Sequence, residues 1–345
     1  MKIVHLIWAF PVGGTETMLV ELVNRQCLNA RITLIIINNY YNIQLVNKIS
    51  KEVKIVKLNR PSRSINPFYI LQLWFVLILS RANVVHCHNE NLCKLLPGLK
   101  KKTSLTVHAI SFIPKYFKYY YKVFAISKSV RDFILRESGI NAKLIYNGID
   151  TSAIKAKQNF DFECFKIVQI SRLDHYIKGQ DVLIKSLKYV VFNLDIKNIQ
   201  LDFIGGGPSL EYLKGLVTSN HLEDYVCFRG EIEKSSIYNT ICDYNLLVQP
   251  SLHEGFGLTI IEGMVARVPV LVSNVDGPIE IIQSGKFGSY FNSGDIVNCA
   301  LKIKEIIEKY SFYASIYRLD MIREYAITNF NISATADNYL NEYLD

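Results

Sequence analysis

The chain opens on Ile3-Val4-His5-Leu6-Ile7, a strand-like apolar run that leads into a Gly13-Gly14 turn. Met18, Leu19, Leu22, Val23 and Cys27 then recur at the spacing of one helical face. Ile32-Thr33-Leu34-Ile35-Ile36-Ile37 is a β-branched run of the kind buried in a parallel sheet. Further strands are expected at Lys54–Leu58, Val84–His88, Ser104–His108, Val123–Ser127 and Lys143–Tyr146. After the weakly patterned stretch Thr151–Glu163 the alternation restarts. Lys166–Ser171 reads as a strand and Asp181–Val190 as a helix. Leu201–Ile204 is a strand ending in Gly205-Gly206-Gly207-Pro208, and Leu210–Val217 a helix. Val226–Phe228, Asn245–Gln249 and Val268–Val272 are the next strands, and Ser311–Asp345 is helical in pattern.

Such alternation implies α/β architecture, with parallel sheets covered by helices on both faces. At roughly 100–200 residues per domain, 345 residues suit two domains, with Thr151–Glu163 as the expected linker. Ligands of open α/β sheets bind at the carboxyl ends of the strands, so a cleft lined by those ends is expected to hold the site. The most apolar stretch, Ile70–Leu79, is shorter than the about 20 residues that span a bilayer. It reads as a buried helix, with a helix touching a membrane surface as the alternative.

Half of the chain is apolar and 20 % is charged, which excludes a disordered chain. The seven Cys are scattered and none forms a C-x-x-C pair, so neither a disulfide framework nor structural zinc is expected, and a reducing compartment fits. The start lacks a small-residue cleavage site and is not read as a secretory signal.

The net charge of +8 is uneven. Residues 1–150 hold 21 Lys and Arg against 7 Asp and Glu, a net +14, and the remainder is net −6. The first half should therefore meet something anionic. Its cations concentrate at Lys100-Lys101-Lys102 and in Lys115-Tyr116-Phe117-Lys118-Tyr119-Tyr120-Tyr121-Lys122, where aromatic rings lie between them. That mixture suits the headgroup layer of an anionic membrane. It also suits single-stranded nucleic acid, or a solvated face with some rings in the core.

Two segments carry candidate chemistry. In Pro250-Ser251-Leu252-His253-Glu254-Gly255-Phe256-Gly257-Leu258-Thr259-Ile260-Ile261-Glu262-Gly263, a glycine-bearing loop follows a strand and a helix begins near Gly257. The unpaired amides at Gly257, Leu258 and Thr259 and the positive end of the helix dipole suit a phosphate. Glu254 and Glu262 can bracket its ligand; alone, each reads equally as a solvated acid. In Ser171-Arg172-Leu173-Asp174-His175-Tyr176-Ile177-Lys178-Gly179-Gln180, two cations follow a strand end, and a guanidinium with an ammonium suits a diphosphate. His108 and His88 each end a strand. No G-x-G-x-x-G, P-loop motif, Asp-x-Asp pair or zinc-spaced His/Cys cluster occurs, which disfavours NAD enzymes, P-loop nucleotidases and metal-held diphosphates.

The ordered set resembles retaining glycosyltransferases of family 4. It comprises Gly13-Gly14-Thr15-Glu16, Ala125-Ile126-Ser127, Tyr146-Asn147-Gly148-Ile149-Asp150, Ser171-Arg172-Leu173 with Lys178-Gly179, Ile204-Gly205-Gly206-Gly207-Pro208 and Glu254…Glu262. The resemblance covers nearly the whole chain. It implies the GT-B architecture of two Rossmann-like domains: residues 1–155 for the acceptor, 160–312 for the nucleotide sugar, and helices over 313–345, of which Ser333–Leu344 crosses back to the first domain. It further implies that Arg172 and Lys178 hold the donor diphosphate together with amides of Gly257, Leu258 and Thr259. Glu262 would meet the ribose, Glu254 the donor sugar, His108 the transferred sugar, and backbone beside Glu231 the base. Gly14 would let the first loop approach the phosphates.

The resemblance implies transfer of a hexose or N-acetylhexosamine from a UDP-sugar to a lipid-linked glycan in surface polysaccharide (O-antigen or capsule) synthesis. No metal or other cofactor and no nucleic acid is expected. Attachment is expected at the inner face of the cell membrane through Lys101, Lys102, Lys115, Lys118 and Lys122. GDP-sugars remain open as donors. The competing readings are a nucleotide-sugar epimerase or phosphorylase of the same architecture, and a non-catalytic scaffold or nucleic-acid-binding protein.

Overall fold

A computed structural model describes residues 1–344, apart from the side chains of Lys101 and Ile316. The chain divides into two compact units, Met1–Ile149 with Phe330–Asp345, and Asp150–Asn329.

The first unit is built on seven parallel strands: β1 (Lys2–Ile7), β2 (Arg31–Asn38), β3 (Lys54–Arg60), β4 (Val84–Cys87), β5 (Thr103–Val107), β6 (Lys122–Ala125) and β7 (Lys143–Leu144), in the order β3-β2-β1-β4-β5-β6-β7. Every residue of β1 from Ile3 to Ile7 is buried, as its unbroken apolar pattern requires. Helices α1 (Gly14–Gln26), α2 (Ile43–Asn47), α3 (Phe68–Ser80) and α4 (Lys128–Ser138) connect the strands. Ser127 caps α4 by accepting from the Val130 amide at 3.2 Å, which explains the serine of the Ala125-Ile126-Ser127 landmark.

The second unit carries six parallel strands: β8 (Phe165–Ile170), β9 (Ile199–Ile204), β10 (Val226–Gly230), β11 (Leu246–Gln249), β12 (Val270–Ser273) and β13 (Ser289–Phe291), in the order β10-β9-β8-β11-β12-β13. Its helices are α5 (His175–Lys178), α6 (Gln180–Lys188), α7 (Leu210–Ser219), α8 (Lys234–Thr240), α9 (Leu258–Val265), α10 (Asp276–Ile281), α11 (Ile296–Glu308), α12 (Tyr310–Tyr313) and α13 (Ile316–Phe330). The final helix, α14 (Ile332–Leu344), belongs to the first unit, where it packs on α1. Both units are Rossmann-like. In each sheet the winding reverses beside its first strand, between β1 and β4 and between β8 and β11.

Three features differ from the sequence expectation. The stretch expected as a linker is stapled to the second unit: the Lys155 and Lys157 amides bond to the Tyr238 and Ala266 carbonyls, and the Lys157 ammonium to the Cys242 and Tyr244 carbonyls. Helix α3 is not a buried helix; only Leu73 and Leu77 of it are fully buried. Strand β13 was not visible in the pattern, being three residues long.

Gly148 explains another landmark. A Cβ there would lie 2.5 Å from Thr335 Oγ1 and 2.8 Å from the Asn331 carbonyl carbon, so only glycine lets α14 begin against this segment. Ile149 then pairs with the chain on both sides of Asn331, its amide bonding to the Phe330 carbonyl and its carbonyl accepting from the Ile332 amide.

Candidate active site

Strands β8 and β11 are neighbours, with Ile167 opposite Leu246 and Val168 opposite Leu247. The loops that leave their carboxyl ends therefore meet. The Leu252 and His253 amides both donate to the Ile177 carbonyl, which fastens the loop after β11 onto α5. Gly179, at φ +64°, turns the chain from α5 into α6, and a Cβ on it would fall 2.1 Å from the Pro250 carbonyl oxygen. This contact sets Lys178 against Glu254: the ammonium donates to Oε2 at 2.5 Å, with the side chains 22 % and 13 % exposed.

Glu254 Oε2 also accepts from the Ser251 hydroxyl at 3.3 Å and from Gln249 Nε2 at 3.4 Å. Gln169 Nε2 donates to the Lys178 carbonyl at 3.0 Å, and Gln180 Nε2 to the Arg172 carbonyl at 2.9 Å. The carbonyl oxygens of Gln169, Gln180 and Gln249 are buried without a partner among the described residues. A polar floor thus underlies the ion pair, at the point where open α/β sheets hold their ligands.

The Arg172 side chain is exposed and makes no hydrogen bond or ion pair among the described residues. Helix α9 starts at Leu258 with Gly257 as its cap, at φ +113° and without a side-chain capping bond. The Leu258 and Thr259 amides have no backbone acceptor among the described residues, which leaves them open to an anion. Glu262, in the second turn of α9, is buried and has Lys234 Nζ at 4.0 Å. Glu231 is exposed and packs against the loop after β9, where a Cβ on Gly206 would meet its Oε1 at 2.7 Å. That loop is pinned to the end of β8, with the Leu173 amide donating to the Gly206 carbonyl.

In the first unit, His108 belongs to a cluster that sequence reasoning read only in part. His5, His86, His88 and His108 come from β1, β4 and the ends of β4 and β5, and their rings stack, with His86 and His88 centroids 4.7 Å apart and His88 and His108 5.5 Å apart. Burial pushes His5 and His108 down to about 4, and holds His86 and His88 well below the usual histidine value, with neighbouring histidines adding to it. The rings are therefore neutral.

Hydrogen bonds order their protons. His5 Nε2 donates to Gln26 Oε1 at 2.8 Å, so the bare His5 Nδ1 accepts from His88 Nε2 at 3.0 Å. His88 Nδ1 in turn accepts from His108 Nε2 at 3.2 Å, which leaves His108 Nδ1 as an acceptor without a partner among the described residues. His86 is held separately, by Thr106 Oγ1 at 2.7 Å and by the Tyr343 hydroxyl of α14.

The remaining residues named from the sequence lie in the first unit. A Cβ on Gly14 meets nothing within 4 Å, whereas one on Gly13 would meet Glu16 Oε2 at 2.5 Å, so the chain itself makes the preceding glycine the tight one. Lys102, Lys115 and Lys118 are exposed, and the Lys101 side chain lies outside the described residues. Lys122 is drawn toward α14, donating to the Glu342 carbonyl with that carboxylate 3.8 Å away. Gln249, Ser251, His5 and Gln26 escaped the sequence reading. Their only signal was a polar residue inside an apolar strand or at its end, as His5 in Ile3–Ile7 and Gln249 after Leu246-Leu247-Val248.

Known proteins are similar to this chain in sequence and in fold. A family model described as glycosyl transferases group 1 matches residues 150–325, and one described as Glycosyltransferase Family 4 matches residues 12–153. An uncharacterized glycosyltransferase of Methanocaldococcus jannaschii is 25 % identical over 293 residues, 74 % of this chain and 71 % of that protein. The O-antigen chain mannosyltransferase RfbU of Salmonella typhimurium is 25 % identical over 288 residues, 74 % of this chain and 77 % of its own length. Some further relatives are matched over about half of their length or less. The crystal structure of Anabaena HepE with UDP and glucose superposes with a TM-score of 0.83 at 18 % identity, covering 100 % of both chains.

Proposed function

The chain belongs to the glycosyl transferases of group 1, and from that we propose that it moves a hexose or N-acetylhexosamine from a UDP-sugar, with retention, to a lipid-linked glycan of a surface polysaccharide. The observation that carries this reading is the Lys178–Glu254 pair at the junction of β8 and β11, beside the open amides of α9. The relatives support the setting: one is an O-antigen mannosyltransferase, and a structural neighbour was solved with UDP-glucose.

In this reading the donor diphosphate lies across Arg172, Lys178 and the Leu258 and Thr259 amides. An ammonium has three donors, so Lys178 can keep Glu254 and still serve phosphate oxygens. The bond from the sugar's anomeric carbon to the diphosphate breaks through an oxocarbenium-like transition state. The acceptor hydroxyl oxygen bonds to that carbon on the face the diphosphate leaves, and its proton passes to the departing phosphate oxygen. The fixed cations and amides stabilise the charge that grows there, so the step asks for no metal. Glu254 faces the positive sugar, whose charge its carboxylate offsets, and the three donors on its Oε2 anchor it there. Glu262 meets the ribose and the backbone beside Glu231 the base. In the first unit by itself, His108 offers a neutral ring whose Nδ1 is an open acceptor.

The acceptor's lipid places the protein on the inner face of the cell membrane as a peripheral protein; no helix among the described residues is long and apolar enough to cross a membrane. Lys102, Lys115 and Lys118 then face acceptor or lipid phosphates. A screen of UDP- and GDP-sugars against membrane extracts tests the reading. Nucleotide diphosphate release with a product heavier by one sugar, unchanged by EDTA, is the expected result. An isomerised donor without acceptor would show an epimerase instead, and no turnover of any donor would refute transfer.

A further inference from the structure

We propose that the outer face of α3 is a docking surface for an anionic phospholipid bilayer. The helix Phe-Tyr-Ile-Leu-Gln-Leu-Trp-Phe-Val-Leu-Ile-Leu-Ser packs inward through Leu73 and Leu77. On its other side Phe68, Leu71, Phe75, Ile78 and Leu79 are each 61–67 % exposed, and Ile65 just before it is 96 % exposed. At 3.6 residues per turn, those five helical positions fall within about 100° of arc, so they form one continuous strip. A soluble surface rarely carries such a strip without a partner. Tyr69 and Trp74 lie half-buried on its flanks, where aromatic rings suit the headgroup boundary.

Charge identifies the partner. No Asp or Glu occurs between Glu52 and Glu90, while Lys54, Lys57, Arg60, Arg63 and Arg81 all lie in that span. Arg63 and Arg81 are exposed and bound the helix at its two ends. A second copy docking on this face would set cation against cation: an antiparallel pairing of α3 brings Arg63 onto Arg81, and a parallel one brings each onto itself. Anionic headgroups meet the same arginines with opposite charge while the apolar strip enters the acyl boundary. The helix is too short to cross, so it lies in the plane of the interface. The surface stands on this geometry alone; its use rests on the lipid-linked acceptor proposed above.

Flotation of the full chain with phosphatidylglycerol–phosphatidylethanolamine vesicles, free of acceptor, tests it. The wild type is expected to float, and Leu71→Asn/Phe75→Asn/Ile78→Asn to partition at least tenfold less. Arg63→Ala/Arg81→Ala keeps the apolar strip and is expected to lose about 25-fold, at about fivefold per cation. Thermal melting checks that each variant is folded. Equal flotation of the triple variant and the wild type would overturn the proposal. So would a wild-type dimer that fails to float and that the triple variant dissociates, since a second copy would then cover α3. Vesicle binding without sugar transfer from any donor would sink the enzymatic reading and leave the surface intact.

Discussion

Lys178 and Glu254 are each other's nearest charge, which separates two roles that look alike in a list of polar residues. On the proposed reading, removing the ammonium strips a charge-assisted contact from the diphosphate; it also leaves Glu254 with weaker donors. Lys178→Ala is therefore expected to raise the dissociation constant for the nucleotide at least tenfold, since hydrogen bonds to charged groups contribute about 1.5–3 kcal/mol. Glu254→Gln keeps the shape and loses the charge proposed to face the sugar. It should lower kcat by about 10²–10³ with nucleotide affinity changed only severalfold. Calorimetry with the nucleotide diphosphate and initial rates separate the two, and equal effects on both quantities would contradict the assignment. The cations and the acid were legible because their spacing places them after strand ends. Gln249 and Ser251 were not, because one Gln and one Ser acquire a role only when the loop after β11 folds back on Glu254.

At the level of elements, the loops of β8 and β11 are joined at one tight point. Gly179 combines a left-handed backbone with a backbone oxygen 2.1 Å from where a Cβ would stand. Gly179→Ala must therefore push the Pro250 segment away. It is expected to cost about 2–4 kcal/mol in urea unfolding, from the left-handed strain and the overpacking together, and to lose donor affinity with it. An unchanged midpoint would show that the two loops are not clamped. The strands and most helices followed the apolar pattern because buried parallel strands are apolar throughout and the helices show one face. Helix α3 failed for the complementary reason. It is apolar at nearly every position, so its periodicity named no inner face, and only its packing through Leu73 and Leu77 distinguished the two sides.

For the molecule as a whole, the neutral histidine cluster ties stability to acidity. His5 titrates near 6.5 when unfolded and near 4 when folded, because burial disfavours its charged form. The unfolded chain therefore binds the proton first. Stability is full above pH about 6.5 and falls as pH drops toward 4, by about 3 kcal/mol for His5 alone. Unfolding midpoints at pH 7, 6 and 5 should decline along that course, and His5→Asn should make the decline shallower, with His86, His88 and His108 keeping part of it. A flat profile in the wild type would mean that the cluster is not buried as described. Helix α14 takes part in this cluster, since the Tyr343 hydroxyl bonds His86 and the Tyr339 hydroxyl lies 3.0 Å from Thr106 Oγ1.

By itself the amino-acid sequence determined the two-fold repetition of strand and helix, the uneven charge and the order of the glycine, cation and carboxylate landmarks. These are properties of spacing, and spacing survives without coordinates. Only tertiary structure decided that Lys178 pairs with Glu254, that Lys122 is drawn to Glu342, that four histidines share one stack and that a nearly all-apolar helix leaves one side in water. Each of those depends on which strands become neighbours and on which face of an element is covered, and both are settled by contacts between residues distant in the chain.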